Sequence, residues 1–310
     1  MATGTLVSDS FTSCDAIGNR EDLIDIITNI SPTETWFLSH SGTTRAKARY
    51  HEWQTDALGS PGANAQIEGG VKTATAITPT SRTGNYCQIL SKEAIVTETQ
   101  DAVDKAGRAS ETAYQTTMRM KELANDLEYA LLINAAAVSG DTATARQLKG
   151  VLGWIATNVD TGTATGNATT LLAADIRSTL HKMWAAGAKP QRILCGGFQK
   201  QAISAMTTSN TKYADAPAKT VTDAVDVYDT DFGRLSIHLS YIMEGASNAS
   251  KGTLIIFGDM SLWSKAWLRP VKKTQLPIAA TSSFYTIEAE LTLESRQEKG
   301  SGKMTGLTIA

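Results

Sequence analysis

A chain of 310 residues can form one large domain or about two to three small ones. With 42% hydrophobic and 19% charged residues it can bury a core, which excludes a disordered polymer. The formal net charge is -2, and no broad basic stripe of the kind that clamps nucleic acid by neutralising phosphates is visible, the densest basic stretches being Arg45–Arg49 and Lys272-Lys273.

The cysteines Cys14, Cys87 and Cys195 are odd in number and match no disulfide framework or zinc spacing. They read as reduced thiols in a reducing cytosol. The segment Met1–Leu6 has neither the charged start nor the apolar centre of a signal peptide. The longest apolar run, Ala130 to Val138, is interrupted by Asn134 and is too short to span a bilayer, so no membrane association is expected.

In chain order, the first forty or so residues read as an arm. A short amphipathic patch runs from Asp22 through Leu23, Ile24, Ile26, Ile27 and Ile30, and Pro32 closes it. Ala46 to Thr55 reads as a strand. Arg45, Lys47 and Arg49 alternate and would share one solvated face of it. Val71 to Thr80 and Tyr86 to Thr97 read as extended. Between Thr55 and Asn85 the only large apolar residues are Leu58, Ile67, Val71 and Ile77, set among glycines, prolines and threonines. A ribbon this poor in apolar surface is marginal in water, and a structureless loop this long is uncommon in a compact domain. Its missing contacts are expected from another chain.

Ser110 and Glu111 open a long helix, with Met120, Leu123, Leu127, Leu131 and Val138 on an apolar stripe completed by Ala124 and Ala135. Arg119, Lys121, Glu122, Asp126 and Glu128 lie off the stripe and are expected to be wet. Gly140 reads as the stop, giving a helix from Ser110 to Ser139 of about 45 Å at 1.5 Å per residue. A mixed α/β pattern follows. Helices are expected at Asp175–Ala186, before Gly187, and at Phe198–Met206. Strands are expected at Arg192–Cys195, Leu254–Phe257 and Phe284–Leu293, the last half-buried with period two. Val221–Tyr228 and Leu235–Met243 form a hairpin around a turn at Asp229–Gly233. Gly300 and Gly302 allow a return through Met304 to Ile309.

No constellation of reactive side chains forms a site. Asp231-Phe232-Gly233 matches a kinase magnesium tripeptide, but no glycine-rich loop, Val-Ala-Ile-Lys strand or His-Arg-Asp loop accompanies it, and a turn explains it. Asp226, Asp229 and Asp231 fail as a calcium loop, since Ser240 occupies the slot that needs a glutamate. Cys195-Gly196-Gly197 sits where a strand meets a helix, and His181 or His238 would have to arrive by folding to serve as its base. His40, His51, His181 and His238 are dispersed, and His51-Glu52 lacks a second zinc-binding histidine. Asn167-Ala168-Thr169 fits a glycosylation acceptor that has no secretory context. Trp263 and Trp267 flank Lys265 and read as core. No catalytic, cofactor-binding or metal residue is nominated, and the chain is read as a non-enzyme.

Several segments, in order, resemble the HK97-like major capsid proteins of tailed phages. They are His51-Glu52-Trp53-Gln54-Thr55-Asp56-Ala57-Leu58, Asn64-Ala65, Glu68-Gly69, Asn85-Tyr86-Cys87-Gln88-Ile89, Ile95-Val96-Thr97-Glu98-Thr99 and Ala106-Gly107-Arg108. Glu122 through Leu132, Val227 through Gly233 and Glu290-Leu291-Thr292-Leu293-Glu294 continue the series. The resemblance covers nearly the whole chain. It implies an α+β subunit with an N-terminal arm (1–41), an extended loop or E-loop (42–98), a peripheral domain with a long spine helix (99–149), an axial domain (150–262) and closing strands of the peripheral domain (263–310).

The function it implies is self-assembly into pentamers and hexamers of an icosahedral head in the host cytoplasm, around double-stranded DNA touched weakly and non-specifically. A separate scaffolding protein, a portal and decoration proteins are the implied partners. Some relatives crosslink through a loop lysine. Lys72 is the candidate donor here, with no identifiable partner. An encapsulin-like cargo shell, and an α/β enzyme using Cys195 or the Asp229 turn, are the alternatives.

Overall fold

The computed structural model describes residues 30–71, 76–165, 168–206, 226–244, 252–277 and 281–308. Most of the patch expected from Asp22 to Ile30, with Cys14, Lys72 and Asn167, lies outside these residues. The chain opens with α1 (Trp36–His40), β1 (Gly42–Arg45), a hairpin of β2 (Tyr50–Thr55) and β3 (Ser81–Tyr86), and β4 (Gln88–Thr97). Next come α2 (Glu98–Ala102), the long α3 (Glu111–Ile133), α4 (Val151–Trp154), β5 (Val159–Thr161), β6 (Thr163–Thr165) and β7 (Ala168–Thr170). Then follow α5 (Ala173–Ala185), β8 (Arg192–Cys195), α6 (Gly197–Met206), β9 (Val227–Thr230), β10 (Gly233–Leu239), α7 (Tyr241–Glu244) and β11 (Leu254–Phe257). The long strands β12 (Trp263–Leu276) and β13 (Ser282–Ser295) and the short β14 (Ser301–Thr305) close the chain. The fold is α+β, as the resemblance implied.

Two sheets organise the molecule. One has strand order β1-β12-β13-β4 and the other β5-β14-β11-β8-β10-β9. In the first, β12, β13 and β4 are antiparallel and β1 runs parallel to β12. β4 lays alternate residues, among them Leu90, Ala94 and Val96, under α3. In the second sheet the alternation of side chains separates two cores. Leu194, Ile255 and Phe257 face the core shared with α3 and β13, while Ile193, Cys195, Leu254 and Ile256 face the core under α5 and α6.

α3 starts where expected and stops sooner. Ser110 Oγ accepts the Ala113 amide at 3.3 Å, and Asp101 Oδ1 accepts the Glu111 amide at 2.8 Å, so two side chains cap one end. The helix ends at Ile133, six residues short of the expected Ser139. Asn134 leaves helical geometry (φ -51, ψ 118), and its carbonyl accepts the Gly150 amide at 2.8 Å. The returning chain crosses the helix end so closely that a Cβ on Gly150 would lie 2.8 Å from the Leu131 carbonyl. Gly140 does turn with φ +66, inside a loop closed by the Val138–Gln147 bridge. Leu123, Leu127 and Leu131 are buried as the stripe required, whereas Met120 is 42% exposed and Val138 is not helical.

Other expectations shift for physical reasons. The strand expected over Ala46–Thr55 is broken. The chain leaves β1 after Arg45, buries Ala46 against Cys87 and Ala266, and re-enters a strand at Tyr50. Arg45, Lys47 and Arg49 stay exposed through that bend. The described part of Val71–Thr80 holds no strand. β13 is buried on both faces from Ala289 onward rather than half-buried, because its second face carries the root of the β2–β3 hairpin and Arg146. The hairpin turn shrinks to Asp231-Phe232, with Asp229 inside β9.

Candidate functional site

The residues with reactive chemistry do not converge. Cys195 is fully buried, and burial pushes its thiol up to about 12, so it stays protonated. It faces the core under α5 and α6. The His238 ring stacks on Trp36 at 4.7 Å, on the other face of the sheet. His238 therefore cannot serve as its base. His181 belongs to an aromatic group with Trp184 and Phe232. The amide of Phe198, at the start of α6, is 3.3 Å from Glu244 Oε2, so the chain's own carboxylate occupies the anion position beside Gly196-Gly197.

Asp231-Phe232-Gly233 is a turn whose Phe232 packs on α5. Asp226 pairs with Lys200 at 2.8 Å and Asp229 with Arg234 at 3.3 Å. His51 sits 3.6 Å from Glu294, Glu52 pairs with Arg82, and His40 bonds the Trp36 carbonyl. Trp263 is buried and donates to Ser301 Oγ at 2.9 Å. Lys265 donates to the Leu38 and Ser41 carbonyls, and Trp267 is half-buried beside that core. Both tryptophans lie on β12, where residues four apart share a face as they would on a helix. Among the described residues no group of His, Cys, Asp or Glu could hold a metal, and no helix is long and apolar enough to cross a membrane.

What the structure does present is an exposed apolar surface. Leu58, Ile67, Val71 and Ile77 are 100%, 86%, 96% and 94% exposed, all in the connection between β2 and β3. The root of that hairpin is firmly held. Tyr50 and Tyr86 face each other across the strands with ring centroids 4.6 Å apart, and Trp53 meets Trp154 at 5.4 Å. Asn85, fully buried, donates to the Lys149 and Leu293 carbonyls at 3.0 and 2.9 Å and accepts the Lys149 amide at 2.9 Å and that of Tyr86 at 3.0 Å. All its hydrogen-bonding capacity toward these chains is used. A rigid root thus carries a connection whose large apolar side chains stand almost wholly in solvent among the described residues. Burying each would contribute about 1.5–3 kcal/mol.

Two features escaped the sequence reading. Trp36 and Phe37, in the segment read only as arm, insert into the main core at 5% and 0% exposure. Glu128, expected to be wet, is fully buried beneath them. The adjacent aromatics in a chain only 6% aromatic were one available signal. The position of Glu128 inside the run from Leu127 to Leu132 was another.

Comparison with known proteins agrees along the length of the chain. The family described as SU10 major capsid protein matches residues 4–308. The major capsid protein of Escherichia phage Phieco32 is 36% identical over 137 residues, 44% of this chain, and the matched stretch spans only 38% of that relative's length. A solved structure from Microbacterium phage Oxtober96 superposes with a TM-score of 0.67 at 12% identity, covering 95% of this chain and 98% of that one. The SrpI encapsulin complex of Synechococcus elongatus superposes with a TM-score of 0.57 at 11% identity, covering 93% and 92%. At such identities the two superpositions speak to fold alone, and virus and compartment share it.

Proposed function

The chain belongs to the SU10 major capsid protein family, and from that premise we propose that it works as the repeating subunit of a tailed-phage head. The observation that carries this reading is the unpartnered connection of β2 and β3: four large apolar side chains stand in solvent on a root fixed by Asn85. A neighbouring copy supplies their contacts. In this reading residues 1–41 are an arm toward neighbours and 42–98 the extended loop laid over the adjacent subunit. Residues 99–149 and 263–310 form the peripheral domain, and 150–262 the axial domain around five-fold and six-fold axes. Copies meet head to tail, a heterologous contact that closes into rings. Contacts of more than about 1,000 Å² per neighbour, each modest, add up through multivalency.

The near-neutral charge suits a wall that confines double-stranded DNA without gripping it. A separate scaffolding protein, a portal and decoration proteins are the proposed partners, with assembly in the host cytoplasm. An encapsulin-like compartment is the second reading and shares the fold. The family match and the Phieco32 relative favour the virion. The role proposed for the chain is structural, in keeping with the family match.

Coexpression with the scaffolding protein of the same phage, followed by electron microscopy, tests the proposal. Closed shells with pentameric and hexameric clusters are expected. A chain that stays monomeric under every assembly condition overturns it, and shells that take up a cargo enzyme by a docking tail transfer the reading to the compartment.

A further inference from the structure

Two surface features sit at opposite ends of β10. Near its start, Arg177, His181 and Trp184 are exposed along one face of α5, spaced four and three residues apart. Phe232, in the turn before β10, packs on the last two with ring centroids 6.0 and 6.1 Å away. Trp184 nevertheless remains 58% exposed. At the far end, β10 runs out at Leu239 beside a hollow of about 310 Å³ lined by Phe198, Leu239 and Tyr241, with Glu34 and Glu244 also lining it. Leu239 and Tyr241 are 46% and 61% exposed.

From Gly233 to Leu239 the strand covers about 20 Å at ~3.3 Å per residue. A subunit therefore cannot seat its own Trp184 in its own hollow, and the two features can meet only between copies. They are complementary. One is an aromatic knob flanked by the basic Arg177, and the other is an apolar recess bordered by carboxylates. Because the contact uses different patches on its two partners, it repeats head to tail.

We propose that Trp184 of one copy seats in the Phe198–Leu239–Tyr241 hollow of the next, with Arg177 facing the Glu34 and Glu244 carboxylates. The contact rests on the reading of the chain as a shell subunit and assigns residues to one interface of the ring. A large aromatic in a desolvated recess is the kind of side chain that dominates an interface.

The test uses assembled particles of an Ala185→Cys, Gln201→Cys double variant in a Cys14→Ser background, which keeps the knob and the recess and places exposed thiols beside each, since Cys87 and Cys195 are buried. A short bis-maleimide is expected to give a ladder of covalent multimers on a denaturing gel. The ladder should be absent from either single variant and from dilute unassembled double variant. Particles that assemble but give only monomers overturn the contact. In a second measurement, Trp184→Ala, checked for an unchanged thermal melt, is expected to raise the concentration needed for assembly roughly tenfold or more. An unchanged requirement overturns it equally. Failure of the wild-type chain to form particles would instead remove the shell reading, and this contact with it.

Discussion

The carboxylate of Glu128, in the interior of the long helix, accepts the backbone amide of Phe37 at 2.8 Å and that of Leu38 at 2.6 Å. These are amides of the first turn of α1, so a side chain 91 positions away in sequence caps that helix. Lys265 holds the other end through the Leu38 and Ser41 carbonyls at 2.7 and 2.9 Å. Replacing Glu128 by Ala leaves two donors unsatisfied in the core. A loss of about 1–3 kcal/mol is expected in urea unfolding, and a loss below about 0.5 kcal/mol would show that the cap contributes little.

The same group gives a pH signature. Burial raises the Glu128 carboxyl from 4.5 to about 7, against the pull of the Phe37 and Leu38 amides and of Lys265. The folded state thus holds the proton more tightly than the unfolded chain. Its contribution is complete below pH 4.5 and is lost as pH rises through about 7. The stability difference between wild type and Glu128→Gln should therefore fall over that interval and level off above it. A difference that is flat with pH would refute the assignment.

Asn85 concentrates four hydrogen bonds in one buried amide. Asn85→Ala should cost about 2–4 kcal/mol and loosen the hairpin root. Hydrogen exchange should then accelerate across β2 and β3. Asn85→Asp is not expected to rescue, because its second oxygen would face the Lys149 and Leu293 carbonyls.

Neighbouring glutamates on β13 should respond differently. Glu290 is buried between Arg146 at 2.7 Å and Arg269 at 2.8 Å, whereas Glu288 meets Arg269 at 3.4 Å in a solvent-exposed pair. Removing the buried partner leaves Arg146 without this carboxylate, while the half-exposed Arg269 keeps Glu288. Glu290→Ala should cost about 1–3 kcal/mol and Glu288→Ala less than about 1 kcal/mol. Equal costs would contradict the burial argument.

Limited thermolysin digestion of the free subunit should cut first beside Leu58, Ile67, Val71 and Ile77, the most exposed large apolar side chains of the β2–β3 connection. Assembly should protect those bonds. Equal cleavage before and after assembly would mean that no neighbour covers them.

Much of the fold was legible where local chemistry decides structure. Ser110 marks the start of α3, Gly187 the end of α5, and the apolar run Leu254–Phe257 a strand buried on both faces. The β2–β3 connection was legible by what it lacks. Long-range events were not. Asn134 stops α3 because Gly150 returns to bond it, and nothing within the helix foretells that. Glu128 looks like any solvated helix glutamate until the arm folds onto it. In β12 the distal half carries Pro270 and a run of charge that disguise a strand, and two register shifts against β13 absorb the irregularity. Among the candidate surfaces, the bare loop could be anticipated. The Trp184 knob could not, because its exposure is set by how α5 lies against Phe232.

The docking of α1 also fixes an order of events during synthesis. Trp36 and Phe37 emerge early, yet their anchors come much later: Glu128 follows Phe37 by 91 positions and Lys265 follows Leu38 by 227. Contacts so distant in sequence form late, after the intervening chain exists. A nascent polypeptide halted before β12 would lack the Trp263 ring against Phe37 and the Lys265 ammonium at the end of α1, and its amino-terminal aromatics would be held only in part. A seated α1 thus marks a translated and finished molecule.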